Sequence, residues 1–264
     1  IFKIKKRPNK NPLIVHYYDV KAAEKDVILN SNFIKLYNRF APGPLTFILK
    51  KKKKSKVSRL ATSNLSTLAI RFPKHKIIRS ILKSIKFPLA MPSANLSSGL
   101  SPVNAFDVFD EFKEKLKIII NGGKSKIGIE STVIDLTNGP KILRPGIIDS
   151  VEIRHILKKN FSKKKTKLVS PGMLRKHYSP GIPVILGKKP NNLNYAYIVF
   201  GNNFKKIRNY FNLSKKGNLK EAASNLYKTM RKIKKMGYKK IFISKIPNRG
   251  PGLAINDRLR RASR

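Results

Sequence analysis

The side chains of this chain best suited to chemistry are cations, hydroxyls and amides placed at the ends of short apolar runs. Lys5 and Arg7 stand directly before Pro8, whose ring keeps the backbone extended. Arg71 lies at the end of one apolar run, shortly before Pro73, and Arg144 ends another in Arg144-Pro145-Gly146. Ser93 and Asn95 occupy a Pro92-Ser93-Ala94-Asn95 turn after a third, and Ser131 lies in Glu130-Ser131-Thr132 ahead of a fourth. If those runs are strands of one sheet, their ends converge on a pocket of Lys, Arg, Ser, Thr and Asn. Such a pocket suits a polyphosphate, which the cations neutralise and the hydroxyl and amide dipoles orient. Taken singly, each residue is an ordinary surface cation or turn residue; their shared placement shifts the balance.

Other chemistries lack support. The chain has no cysteine, which excludes a disulfide framework, a cysteine-zinc site, an iron–sulfur cluster and thiol catalysis. Its four histidines, His16, His75, His155 and His177, show no metal-ligand spacing, and no G-x-S-x-G elbow is present. Asn121-Gly122-Gly123-Lys124-Ser125 resembles part of a P-loop, but position 118 is Ile118 where that motif needs its first glycine. A tight turn after a buried strand is the better reading of Gly122-Gly123.

Those polar residues need a scaffold. Apolar runs predict strands at 13–15, 45–49, 68–72, 89–91, 118–120, 132–136 and 142–143. Helical patterns fall after Asp19, at 33–40, 76–86 and 104–116, and after Asp149. Mixed strands and helices with short loops predict an α/β domain over residues 1–160. Residues 161–182 are polar, basic and broken by Pro171-Gly172 and Pro180-Gly181, the pattern of a linker. A smaller Rossmann-like α/β unit is expected over 183–264, with strands at 184–186, 196–200 and 241–244. Leu219, Ala222, Ala223, Leu226, Tyr227, Met230 and Ile233 would give its long helix one apolar face, and a basic helix would end the chain at 254–262. Ile1 is not a methionine and opens in mid-pattern, so a preceding segment is expected.

The 264 residues carry 59 Lys+Arg against 13 Asp+Glu, a formal net charge of +46. That balance attracts polyanions, although lysine runs such as 50–54 and 163–165 also fit a compositional bias spread over solvated faces. RNA-binding aromatic motifs and Cys/His fingers are absent. No apolar run approaches the ~20 residues of a membrane span and no signal peptide opens the sequence, so a cytoplasmic protein without membrane contact is expected.

Several ordered motifs resemble the YrdC/YciO family. They are Lys5-x-Arg7-Pro8 with Asn11-Pro12-Leu13-Ile14-Val15-His16, then Pro42-Gly43-Pro44-Leu45-Thr46, Ser93-Ala94-Asn95, and Glu130-Ser131-Thr132-Val133-Ile134-Asp135 with Arg144-Pro145-Gly146. Ser170-Pro171-Gly172-Met173 with His177-Tyr178-Ser179-Pro180, and the ending from Gly252 to Leu259 with Ala262, are similar to the longer, two-domain members. The resemblance implies a mixed twisted YrdC-like sheet followed by a linker and a second domain. It also implies an L-threonylcarbamoyladenylate synthase, joining L-threonine, bicarbonate and ATP into threonylcarbamoyl-AMP and pyrophosphate for threonylcarbamoyladenosine modification of tRNA.

By the same resemblance, Lys5, Arg7, Ser93 and Asn95 form a catalytic tetrad. ATP falls to Arg7, Asn11, Thr67, Asn95, Arg144 and Tyr178, and threonine to His16, Arg71, Ser93 and Ser131. Mg2+ is expected on the triphosphate, held by substrate oxygens and water rather than by protein ligands. The linker with His177 and Tyr178 is expected to fold over the pocket as a lid. Partners implied are tRNA and the proteins of the threonylcarbamoyl-transfer complex; the alternative is a double-stranded RNA-binding module of the same fold without catalysis. Two positions depart from the family pattern: Val103 stands where threonine is usual, and Lys6 where glycine is common. The family's threonine-bearing N-terminal stretch does not occur in the sequence.

Overall fold

Helix starts follow the short polar side chains that can accept hydrogen bonds from the first free backbone N–H groups. The computed structural model describes residues 1–159, 161, 177–204 and 207–264. The first half runs α1 (Phe2–Lys5), β1 (Ile14–His16), α2 (Val20–Glu24), α3 (Ser31–Phe40), β2 (Leu45–Lys50), α4 (Arg59–Thr62), β3 (Thr67–Arg71), α5 (Lys76–Ile85), β4 (Leu89–Ala90), α6 (Ala105–Phe112), β5 (Thr132–Asp135), β6 (Lys141–Arg144) and α7 (Ser150–Leu157). Asp19, Asn30, Asn104 and Asp149 cap α2, α3, α6 and α7 through their side-chain oxygens. The second half contributes β7 (Val184–Leu186), β8 (Tyr195–Val199), β9 (Tyr210–Asn212), α8 (Leu219–Lys235), β10 (Lys240–Ile243) and α9 (Pro251–Ala262).

The first sheet has six strands in the order β4-β1-β3-β2-β5-β6. β1 and β3 are parallel to each other, β2 and β5 run the opposite way, and β4 and β6 are antiparallel to their neighbours. Side-chain alternation splits the sheet into two faces. Val15, Phe47, Ile70 and Ile134 face a large core that includes Phe33 and Leu36 of α3 and Ile153 and Leu157 of α7. The other face carries only a small cluster of Ile14, Ile48, Ala69 and Val133, which leaves room above it.

The second sheet is all parallel, in the order β7-β10-β8-β9, and its core includes the apolar faces of α8 and α9. That core also takes in Leu100, Ile129 and Tyr178, so the two units share packing. A mixed sheet followed by a smaller α/β unit is the expected fold class. Among the described residues no helix is long and apolar enough to cross a membrane.

Two expectations fail locally. Residues 118–120 form no strand, and Ile118 is 81% exposed; an apolar β-branched run without a partner strand to pair with stays a loop. Gly122 and Gly123 therefore lie in an exposed loop rather than behind a buried strand. Conversely, β9 and α4 were not foreseen. The expected linker falls largely outside the described residues, and Ser170 to Met173 lie entirely outside them.

Candidate active site

Strand direction brings the predicted residues together. The C-terminal ends of β1 and β3 lie beside the start of β2, with His16 in register with Arg71 and Arg71 with Thr46. β5 starts alongside β2, with Thr46 opposite Val133, and β6 returns so that Arg144 pairs with Val133. Cross-strand partners share a face, so His16, Thr46, Arg71 and Arg144 project from the sparsely covered side of the sheet, joined by Ser131 just before β5. Above them lies a cavity of about 200 Å³ whose wall includes Arg7, His16, Arg71, Ser93, Ser131, Arg144 and Tyr178. Seven of the predicted site residues therefore meet in one hollow.

The cations are clustered. Arg144 is buried and donates through Nε to the Ser131 carbonyl (3.1 Å) and through Nη2 to Ser131 Oγ (3.0 Å). Thr46 Oγ1 lies 2.7 Å from the same hydroxyl, which fixes it from the opposite side. Arg7 Nε and Nη2 donate to the carbonyls of Asn11 (3.1 Å) and Pro12 (2.8 Å), and Arg71 Nε donates to that of Gly43 (3.2 Å). Burial and the neighbouring Arg144 charge lower Arg7 and Arg71 to about 10, so both remain cationic at neutral pH. An anion entering here relieves repulsion among guanidiniums that backbone carbonyls already hold in place.

The imidazoles are neutral. Burial, then the Arg71 charge, lowers His16 to about 3. Burial lowers His177 to about 4. The Tyr178 backbone N–H donates to His177 Nδ1 (2.9 Å), which leaves the neutral ring's proton on Nε2. Tyr178 holds a left-handed φ of 63°, and Ser179 N donates to the Ser98 carbonyl (2.9 Å), tying this segment to the turn after Asn95.

The remaining predicted residues stand behind the cavity wall or beyond it. Buried Lys5 donates from Nζ to the carbonyls of Ser93 (2.5 Å) and Asn95, clamping that turn rather than lining the hollow. Asn95 is buried; its amide donates to Leu96 (2.6 Å) and Gly99 (3.1 Å) while its Oδ1 has no partner. Asn11 is buried with both amide atoms unpartnered. Thr67 shares the face of Arg71 but sits four residues back, about 13 Å along the strand, outside the cavity.

Sequence reasoning did not single out Thr46 as a brace for Ser131, although it lay in the Pro-Gly-Pro-Leu-Thr motif. Nor did it assign a role to Glu130, which lines the cavity and is gripped by residues of the second unit. Among the described residues no three His, Cys, Asp or Glu side chains group as metal ligands.

Comparison with known proteins decides the family. The family model Sua5_yciO_yrdC, described as "Telomere recombination", matches residues 1–146, and the model of the "Threonylcarbamoyl-AMP synthase, C-terminal domain" matches residues 148–264. The chain belongs to the Sua5/YciO/YrdC family. Among its relatives is the threonylcarbamoyl-AMP synthase of Pyrococcus abyssi, 34% identical over 288 residues, covering 100% of this chain and 83% of that protein. The Bacillus subtilis threonylcarbamoyl-AMP synthase is 31% identical, covering 100% and 82%. The fold is similar to a crystal structure of P. abyssi Sua5 complexed with L-threonine, with a TM-score of 0.88 and 33% identity over 99% of this chain and 83% of that one. Family membership thus extends over both sheets.

Proposed function

We propose that this chain is a threonylcarbamoyl-AMP synthase, using L-threonine, bicarbonate and ATP. The observation that carries the reading is the convergence of Arg7, Arg71 and Arg144 with Ser93 and Ser131 in one cavity, in a chain whose full-length relatives bear that name. In the reaction, the threonine amine and bicarbonate condense to a carbamate with loss of water. A carbamate oxygen then attacks the α-phosphorus, and the bond to the β-phosphate breaks, pyrophosphate leaving with the electron pair. The product is a mixed anhydride of carbamic and phosphoric acids.

No protein nucleophile is required, so catalysis rests on alignment and on stabilising charge that shifts between phosphate oxygens. Arg71, in register with His16, is placed to take the threonine carboxylate, with Ser93 and Ser131 as hydroxyl partners. Arg7 and Arg144 are assigned to the phosphates, with Tyr178 in the wall and Asn11, Asn95 and Thr67 on the nucleotide's remaining polar edges. Neutral His16 and His177 keep the pocket free of further fixed charge. Lys5 acts from behind by holding the Ser93–Asn95 turn.

Mg2+ enters in this reading with the substrate as MgATP. Glu130, the carboxylate of the cavity wall, already accepts hydrogen bonds from Ser101, Tyr227 and Arg258, so the donor set offers no protein cage and no residue is assigned to the metal. The net charge of +46 supports contact with tRNA, the eventual acceptor, and the transfer-complex proteins would receive the labile product. A binding module without catalysis has no use for a buried guanidinium cluster, which RNA cannot reach as it reaches surface lysines. Pyrophosphate release from ATP should need both threonine and bicarbonate; equal release without threonine removes the synthase reading.

A further inference from the structure

A carboxylate in a cavity meant for a triphosphate is an anomaly, and its surroundings resolve it. Glu130 Oε1 accepts from Ser101 Oγ (2.5 Å) and from the Tyr227 hydroxyl (3.2 Å). Its Oε2 accepts from Tyr227 (3.1 Å) and from Arg258 Nε (3.0 Å). Tyr227 lies on α8 and Arg258 on α9, so two of the three side chains gripping Glu130 come from the second unit. Burial works against ionisation of Glu130, but Arg258 and then Arg144, with the Ser101 hydroxyl, hold it at about 2.

Arg258 is 1% exposed, and its other contacts also lie along the cavity wall. Nη1 donates to the carbonyl of Pro145 (2.7 Å), the residue after Arg144, and to Asp257 Oδ2 (3.0 Å). Its guanidinium carbon stands 5.3 Å from the centre of the Tyr178 ring. A buried ion pair is weak grounds for stability alone, since well-packed apolar side chains often do as well. Its effect is better sought where its partners point. In the absence of Arg258, the nearest strong cation to share with Glu130 is Arg144, the same group the phosphates need.

We propose that Arg258 is a positioning residue of the synthase site: it neutralises and fixes Glu130, so that Arg144 and its neighbouring guanidiniums are left to ATP. The inference rests on the synthase reading, because it assumes that ATP occupies this cavity. The second unit thereby supplies part of the electrostatics of a site it does not itself line.

The test is calorimetric titration of the full chain with MgATP, comparing wild type, Arg258→Met, Glu130→Gln and the double variant. Loss of Arg258 should weaken ATP about tenfold, and Glu130→Gln in that background should recover most of the loss, because the competing charge is gone. A purely structural arginine would show no such charge-specific rescue. Unchanged affinity in Arg258→Met, or a loss that Glu130→Gln leaves in place, overturns the inference while leaving the synthase reading standing. Should Arg258→Met fail to fold, Arg258→Gln, neutral but still able to hydrogen-bond, is judged by the same two outcomes. Wild-type protein that binds no ATP at all overturns both readings.

Discussion

Arg71 and Lys5 are both cations, yet their settings give them separable tasks. Arg71 spends only Nε on the Gly43 carbonyl and stands in register with His16 and Thr46 at the sheet's end. A planar fork so held matches a carboxylate in a way an ammonium does not. Arg71→Met should raise KM for threonine by about 30- to 100-fold, the worth of one strong charge-assisted contact, while moving KM for ATP far less. Arg71→Lys should recover little, and steady-state kinetics with each substrate varied in turn would read the split. Lys5 has a different sensitivity. Burial, then the Arg7 charge, lowers it to about 8, against a partial opposing pull from Glu111. An incoming nucleotide favours the ammonium form, so binding near pH 8 draws a proton onto Lys5. ATP affinity should therefore fall as pH rises from about 7 to 9, with proton uptake visible in buffers of different ionisation heat. A wild-type affinity that stays level across that range, or one that Lys5→Met changes with pH just as steeply, would defeat this assignment.

At the scale of elements, the site depends on how strands start and stop, and much of that was legible. Asp19, Asn104 and Asp149 announced their helices because a cap needs only a side-chain oxygen a few residues from its N–H partner. The polar residues at strand ends were visible for the same local reason. Strand order was not, because β4-β1-β3-β2-β5-β6 is set by pairings between distant segments that no local pattern encodes. Residues 118–120 show the same limit in reverse, a good strand pattern without a neighbour. The Arg258–Glu130 contact spans 128 residues, so its two motifs could be noticed separately but not joined. The turn after β6 makes the element-level dependence testable. A Cβ on Gly146 would fall 2.3 Å from the Thr132 backbone nitrogen and 2.7 Å from the Ser131 carbonyl carbon. Both are backbone atoms at the start of β5, so β6 with Arg144 and Pro145 must move away from Ser131. Gly146→Ala should cost about 1–3 kcal/mol in urea unfolding and raise KM for ATP as Arg144 leaves Ser131. A variant with wild-type stability and kinetics would mean that the turn is not held as tightly as the contact implies.

On the scale of the whole molecule, the two sheets are joined by more than the chain between them. Leu100 and Ile129 of the first half are buried in the core of the second, with Ile127 and Ile147 packed against it. Polar links flank this apolar seam. Arg231 of α8 donates to the Leu100 carbonyl (2.5 Å) and to Glu111 Oε2 (3.0 Å), while Glu111 Oε1 accepts from the Leu96 backbone (2.8 Å) beside the Ser93–Asn95 turn. The second unit therefore supports the cavity from two directions, through Arg231 on one side and Arg258 on the other. Units that share a core in this way should unfold together, with calorimetric and van't Hoff enthalpies nearly equal. Gly128 is where that union is most vulnerable. It has φ +77°, and a Cβ there would meet Ser224 Cα at 2.5 Å and the Ala223 carbonyl oxygen at 2.6 Å, both in the backbone of α8. The helix cannot yield locally without breaking its own ladder, so a larger side chain must push the helix and the loop apart. Gly128→Val should split the thermal transition in two and lower ATP affinity, since Glu130 two residues on would be drawn away from Tyr227 and Arg258. A single, merely weakened transition with intact ATP binding would show that the two halves do not depend on this seam, and that the cavity is organised by the first sheet alone.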